Sequence, residues 1–281
     1  MKALHPILLL CSVLCLFTAC QKETDMTLVQ KTVFEDSNLR QIHIDDGWQV
    51  TLVYDSLHSF VQLEYSAYLE EYVSAEASND GLTIGFNNTF YKQIGTVYKA
   101  TIHTSERQRL SLQADNASNV TFEGSFELEE AVDIALRHAS LCSGLSVAVP
   151  SCSILLEQAS QLLGVHYQGT SCSVYAHEAS SCKGYFEVGQ TFDAGAYGRS
   201  QLIVFGGMME TASIEADEAG AINMVQAEAN NLQVHLDGKS EATVNVGENL
   251  VGSILSASTL YYKGFPYIDV ECSDDSQLIP L

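Results

Sequence analysis

From Leu110 onward, apolar and small residues fall at every second position in short runs, and the runs return about every twenty residues. CSILL (152–156), CSVYA (172–176), ASIEA (212–216) and LQVHL (232–236) each place apolar or small residues first, third and fifth. Ser153, Ser173, Ser213 and Gln233 stand between them. Period-two alternation marks a strand with one face buried and one in water. The inward columns run from Leu110, Leu112 and Ala114 to Ile268, Val270 and Cys272.

A small residue follows each run. Ser118, Ser140, Ser160, Ser180, Ser200, Gly220, Ser240, Ser258 and Ser276 are spaced by 22, then by 20 five times, then by 18 twice. Two positions beyond each anchor the residue is never polar: Val120, Cys142, Leu162, Cys182, Leu202, Ile222, Ala242, Leu260 and Leu278. One short strand per unit cannot bury its own apolar face, so the units must stack as a solenoid. No L-x-x-L-x-L series and no helical stretch supports the alternative of leucine-rich repeats. The pattern predicts an all-β fold: a single-stranded, right-handed parallel β-helix of about 20 residues per turn, with Gly and Ser at its corners.

Residues 30–105 do not keep this register. They read as separate strands, RQIHI, WQVTLVY, FVQLEY, LTIGF and YKATIHT, with turn chemistry at Asp46-Gly47 and Asp80-Gly81. YLEEYVSAEAS (68–78) is a weak helix candidate. The expected organisation is a signal peptide over 1–19, a tether over 20–29, an N-terminal β-rich cap with the first turns over 30–105, and repeats with a C-terminal cap over 106–281. Tyr261, Tyr262, Phe265 and Tyr267 are expected in that C-terminal cap.

The apolar run PILLLCSVLCLF (6–17) is too short for a membrane helix and ends in FTAC before a polar QKETD. This is similar to a bacterial lipobox, which makes Cys20 the lipidation residue and places the protein in the outer membrane, facing the cell surface or the periplasm. Cleavage elsewhere, giving an ordinary secreted protein, is the alternative. The formal net charge is −22, with 13 Lys and Arg against 35 Asp and Glu. No basic stripe for phosphates can be built, so nucleic acid is excluded as a partner.

Catalytic motifs are absent: no Gly-x-Ser-x-Gly occurs, and HEASS (177–181) lacks the second His of HExxH. Cys152 and Cys172 share an inward column in adjacent turns, but parallel Cα–Cβ bonds disfavour a bridge, and buried free thiols are expected. The outward column three residues before the anchor reads Asp115, Arg137, Glu157, His177, Tyr197, Asp217 and Asp237. Within it Asp217 and Asp237 are weak calcium candidates; otherwise no cofactor or metal is expected. A lyase or hydrolase reading would use Glu215, Asp217 and Asp237, with Arg199 as the nearby cation. The plainer reading of these acids is a solvated face. Tyr175, His177, Tyr197 and Asp217 form a candidate ligand-binding patch, because rings on a flat ladder stack on sugar faces while carboxylates bond hydroxyls. Cross-strand packing is the plainer explanation of such rings.

QIHIDDGWQVTLVY (41–54), SNDGLTIGF (78–86), the repeated small-Ser-x-apolar turns and the closing LYYKGFPYIDVECSDDSQLI (260–279) together resemble the head GIN domain family, described as auto-transporter adhesins. The resemblance covers residue 30 to the end. It implies a right-handed β-helix with a lipoprotein or secretion signal, and it supplies no catalytic residues. The combined expectation is a lipid-anchored envelope adhesin that binds a glycan or a host-surface protein without catalysis. A polysaccharide lyase or hydrolase, and a structural partner in an envelope complex, are the alternatives.

Overall fold

The computed structural model describes residues 25–35, 39–78, 81–90 and 92–281. Cys20 and the apolar run before it lie outside the described residues. The chain forms a β-solenoid of about nine stacked parallel turns, each of about 20 residues. Strand residues pair in register from coil to coil, as in the column Ile154, Val174, Ala194, Ile214 and Val234. All five are buried. A second ladder after the corner stacks Cys142, Leu162, Cys182, Leu202, Ile222, Ala242 and Leu260, also buried. A third stacks Val147 and Tyr167, then Phe186, and farther along Met209, Ala229 and Val246. These ladders enclose one continuous core. Each buried Val, Leu or Ile adds roughly 1.5–3 kcal/mol relative to exposure, so the stack supplies what no single turn could.

The corners are not built by glycine alone. In most coils the two residues before the anchor both have positive φ: Gln158 (56°) and Ala159 (62°), Glu178 (54°) and Ala179 (64°), Glu218 (51°) and Ala219 (64°). Two successive left-handed residues make a type I′ turn, closed by bonds such as Ser180 N–H to His177 O at 3.2 Å. A non-glycine residue there costs roughly 1–2 kcal/mol. Stacking compensates, because each corner donates to the next: Ala159 N–H to Glu178 O is 2.9 Å, and Ala179 N–H to Gly198 O is 2.8 Å. The anchor serine serves a different purpose from the bend. Ser118, Ser140, Ser160, Ser180, Ser200, Ser240 and Ser258 are buried. The hydroxyls of Ser160, Ser180, Ser200 and Ser258 each accept the anchor backbone N–H of the preceding coil, as in Ser140 N–H to Ser160 Oγ and Ser160 N–H to Ser180 Oγ, both 3.2 Å. At Gly220 a Cβ would stand 1.9 Å from Ala196 O, so no serine fits in that coil.

The N-terminal region stacks out of chain order. The strands are β1 (Leu28–Val33), β2 (Gln41–Ile44), β3 (Gln49–Tyr54), β4 (Phe60–Ser66), β5 (Val73–Ala77), β6 (Gly81–Phe86), β7 (Tyr98–Thr104), β8 (Arg109–Ala114) and β9 (Asn119–Glu123). β2 lies between β6 and β8, and β3 between β7 and β9, all parallel. The first coil in sequence is therefore inserted between two later ones. Antiparallel strands then cover this end: β5 on β6, β4 on β7 and β1 on β4. Covering removes edges that would otherwise recruit other chains. The helix considered over 68–78 is instead a 3₁₀ turn, Ala67–Leu69, followed by β5. Asp46-Gly47 does form a left-handed corner (φ 59° and 75°). Trp48 takes the serine's place after it, since Asn119 N–H donates to Trp48 O (2.8 Å) as Leu141 N–H does to Ser118 O (2.9 Å). Its ring is fully buried against Phe86 and Tyr98, centroids 5.5 and 5.8 Å away.

At the far end, Tyr267–Cys272 and Gln277–Pro280 form the last parallel pairings. Tyr261 and Tyr262 are half-buried there, whereas Phe265 and Tyr267 stand exposed.

Candidate functional site

The outward column before the corners is largely paired along itself. Asp115 lies 3.3 Å from His43 and 3.4 Å from His138. Arg137 Nε donates to Glu157 at 2.7 Å. His177 and Tyr197 stack, with centroids 4.7 Å apart and planes 12° from parallel. Ladder spacing near 4.8 Å sets that distance, because identical rotamers one coil apart superpose. The shared ring faces are consequently closed to a ligand.

The two tyrosines of the patch meet over Gly195, the ladder partner of Tyr175, which is buried beneath them. A Cβ there would meet Tyr175 Cδ1 and Tyr197 Cε2, each at 2.6 Å. Both rings thus converge over bare backbone that any side chain would fill. Tyr197 Oη donates to Glu215 Oε2 at 2.8 Å. Burial first, then that bond, pushes the Tyr197 phenol up; burial, then the charges of Asp193 and Glu215, raises Tyr175. Both hydroxyls stay protonated at neutral pH and can donate. The result is an aromatic floor flanked by acceptors.

Tyr175, His177 and Tyr197 are thus brought together, and Asp217, the ladder partner of Tyr197, has one oxygen engaged at its own corner. Its Oδ1 accepts the Glu218 N–H at 2.6 Å and packs over Gly238, where a Cβ would stand 2.4 Å from it. Asp237 is likewise drawn into its corner, accepting the Gly238 N–H at 2.7 Å. A hydrogen bond from Ser256, then that of Gly238, holds its carboxyl below the usual range. Among the described residues no three His, Cys, Asp or Glu side chains converge on a point where a metal ion would sit. Glu215 and His235 face water beside buried Ile214 and Val234. Arg199 sits at a left-handed corner position (φ 64°), exposed.

Cys142, Cys152, Cys172 and Cys182 are free and buried, and Cys272 is free and exposed. Burial pushes the Cys142, Cys172 and Cys182 thiols up, which makes them poor nucleophiles. One feature of the surface had no sequence signal at the repeat's own step: His166, Tyr185 and Phe205 on another ladder. A bulge at Gly164 (φ 69°) shifts the pairing by one, so Val165 meets Gly184, and His166 lies 19 residues from Tyr185. Searching for aromatic pairs 19 to 21 apart would have found it.

Among the described residues no helix is long and apolar enough to cross a membrane. Comparison with curated proteins gives no match. Solved structures match the fold over nearly the whole chain. A "putative adhesin" from Parabacteroides merdae is 12% identical with a TM-score of 0.65, covering 92% of this chain and 98% of that one. A "putative adhesin" from Parabacteroides distasonis is 14% identical with a TM-score of 0.64 and the same coverage. A "putative lipid binding protein" from that organism is 15% identical with a TM-score of 0.59, again at 92% and 98%. A family model described as "Putative auto-transporter adhesin, head GIN domain" matches residues 38–266, so the chain belongs to the head GIN domain family.

Proposed function

We propose that this solenoid is a non-catalytic adhesin of the bacterial envelope, anchored in the outer membrane by lipid on Cys20, that presents Tyr175, His177 and Tyr197 to a glycan on another surface. The observation behind the ligand class is the convergence of Tyr175 and Tyr197 over Gly195, with Asp193 and Glu215 alongside. Ring faces pack on sugar C–H groups, and carboxylates accept from hydroxyls. Asp217 contributes at the rim through whichever oxygen its corner leaves free. The family description supports an adhesin-type role at the cell surface. The non-catalytic reading is supported by what the acids already do: Glu215 holds Tyr197, while Asp217 and Asp237 hold corners. A rigid ladder binds with little ordering cost, but flat patches give modest affinity, and many tethered copies would supply avidity.

The test pairs a glycan array with a lyase and hydrolase assay on the same hits, using the full chain. Saturable binding without shortened or unsaturated products is expected. Turnover of any bound glycan would replace this reading with the polysaccharide lyase or hydrolase.

A further inference from the structure

A groove on a different ladder from the Tyr175 patch is built in the same chemistry. We propose that it is a second saccharide site, specific for neutral glycan chains; this rests on the glycan-adhesin reading above. Between the strands ending at Val204 and beginning at Met208, the chain dips inward through Gly206 and Gly207. Gly207 has φ +111°, and a Cβ on it would stand 1.8 Å from Phe186 O, so only glycine allows the dip. The space left is a groove of about 500 Å³. That lies within the ~300–1,000 Å³ typical of ligand sites.

Its lining sets Tyr185, Val188, Met208 and Met209 beside Glu187, Glu210 and Asn230. Tyr185 stacks on His166 at 5.2 Å and 13°, and the edge of its ring covers Gly206, 2.6 Å from where a Cβ would be. Tyr185, Phe205 and Met208 are 36%, 44% and 68% exposed. Tyr185 and Met208 line the groove while Phe205 lies outside its lining, and two large apolar side chains exposed on one groove mark it off from scattered surface residues. Glu187 and Glu210 line the walls, and Asn230 Nδ2 donates to Glu210 Oε2 at 3.1 Å, fixing that carboxylate.

The chemistry selects the occupant. A peptide adding as a strand needs free backbone groups, yet the backbone here is taken: Phe205 N–H donates to Gly184 O at 2.8 Å, Glu228 N–H to Gly207 O at 3.1 Å, and Met208 and Met209 pair with Glu228 and Ala229. What remains is carboxylate acceptors beside ring faces, which suits hydroxyl donors on a neutral sugar. Uronates and sialates would meet Glu187 and Glu210 in a chain of net charge −22. The local cation, Lys183, lies over the Phe205 ring at 5.4 Å.

The experiment is calorimetric titration of the full chain with cellohexaose, maltohexaose and mannohexaose, with hexagalacturonate as the anionic counterpart. At least one neutral hexaose should bind and the galacturonate should not. Tyr185→Ala should weaken binding tenfold or more, and Tyr185→Phe should retain it. Melting temperatures check folding; should Tyr185→Ala melt early, Glu210→Lys at the exposed rim must abolish binding instead. Binding lost in a Tyr175→Ala, Tyr197→Ala pair but intact in Tyr185→Ala and Glu210→Lys would overturn the groove and leave the adhesin reading standing. Preference for the galacturonate would overturn the groove's specificity. No binding of any saccharide would overturn both.

Discussion

His177 and Tyr197, twenty residues apart in sequence, lie ring on ring at 4.7 Å, and the Tyr197 hydroxyl is held by Glu215 from the following coil. Three coils are thus tied together on the outer face by side chains alone. A double-mutant cycle between His177→Ala and Tyr197→Ala should give a coupling of roughly 0.5–1.5 kcal/mol, the range for stacked rings. Tyr197→Phe, which keeps the stack and loses the bond, should cost about 1 kcal/mol or less. Chemical denaturation of the five proteins measures both; additive effects would mean that the rings do not support each other.

The inward and outward columns predict opposite sensitivities at adjacent positions. Val234 is buried in the core, whereas His235 is exposed with Nδ1 2.7 Å from Ser253 Oγ. Val234→Asp buries an unpaired carboxylate and should cost several kcal/mol; His235→Ala should change stability by about half a kcal/mol to one. Similar melting shifts for the two would contradict the register.

Corners offer a test in which substitution acts in both directions. Ala159 holds φ 62°, so Ala159→Gly should relieve up to about 1 kcal/mol of strain, offset in part by a freer unfolded chain. Gly220→Ala should destabilise strongly, because its Cβ would fall 1.9 Å from Ala196 O. Thermal melts of both variants decide it.

The end cap should respond to pH. Lys31 pairs with Glu70, and Tyr65 Oη donates to the same carboxylate at 2.5 Å, fastening β1 to the 3₁₀ turn. The bond from Lys31, then that from Tyr65, lowers the Glu70 pKa; the bond to Glu70, then that to Tyr65, raises that of Lys31. Glu70 therefore contributes stability above its unfolded pKa and loses it as pH falls through the lower folded value. Lys31 contributes below its unfolded pKa and loses it as pH rises through the raised one. Between these limits Glu70→Gln should melt below the parent, by a small margin because the pair is exposed and screened. The gap should close in acid and shrink in high salt.

Thiol reactivity should divide sharply. Cys272 should be alkylated within the dead time of mixing, while Cys142, Cys152, Cys172 and Cys182 should react only at the rate of unfolding. Peptide mapping of the labelled full chain reads each site separately. Rapid labelling of Cys152 or Cys172 in native protein would mean that the core there is open.

How far the sequence carried this reading follows from which interactions are local. Ile214 and Val234 could be placed because period-two alternation fixes a side chain's face and the twenty-residue step fixes its neighbour. The corner positions were legible too, but their conformation was not. Ala159 and Ala179 at left-handed φ are held by hydrogen bonds from the next coil, which propensity does not report. The insertion of β2 between β6 and β8 depends on pairing across 40 and 70 residues, with no repeat to mark it. Tyr175, His177 and Tyr197 could be placed near one another because the outward columns fix their positions, whereas the bond from the Asp217 carboxylate to its own corner leaves no trace in the sequence pattern. The groove at Tyr185 escaped because one bulge, at Gly164, takes His166 out of the common step.

The most direct test of the account is binding by the Tyr175→Ala, Tyr197→Ala double variant. The parent and the variant, both shown to be folded at the assay temperature, would be titrated with each array ligand that the parent holds but that does not need Tyr185. Tyr175 and Tyr197 form the aromatic floor over Gly195, so their removal should reduce affinity tenfold or more while leaving the fold intact. Unchanged affinity for every such ligand would contradict the claim that this face is the adhesive one.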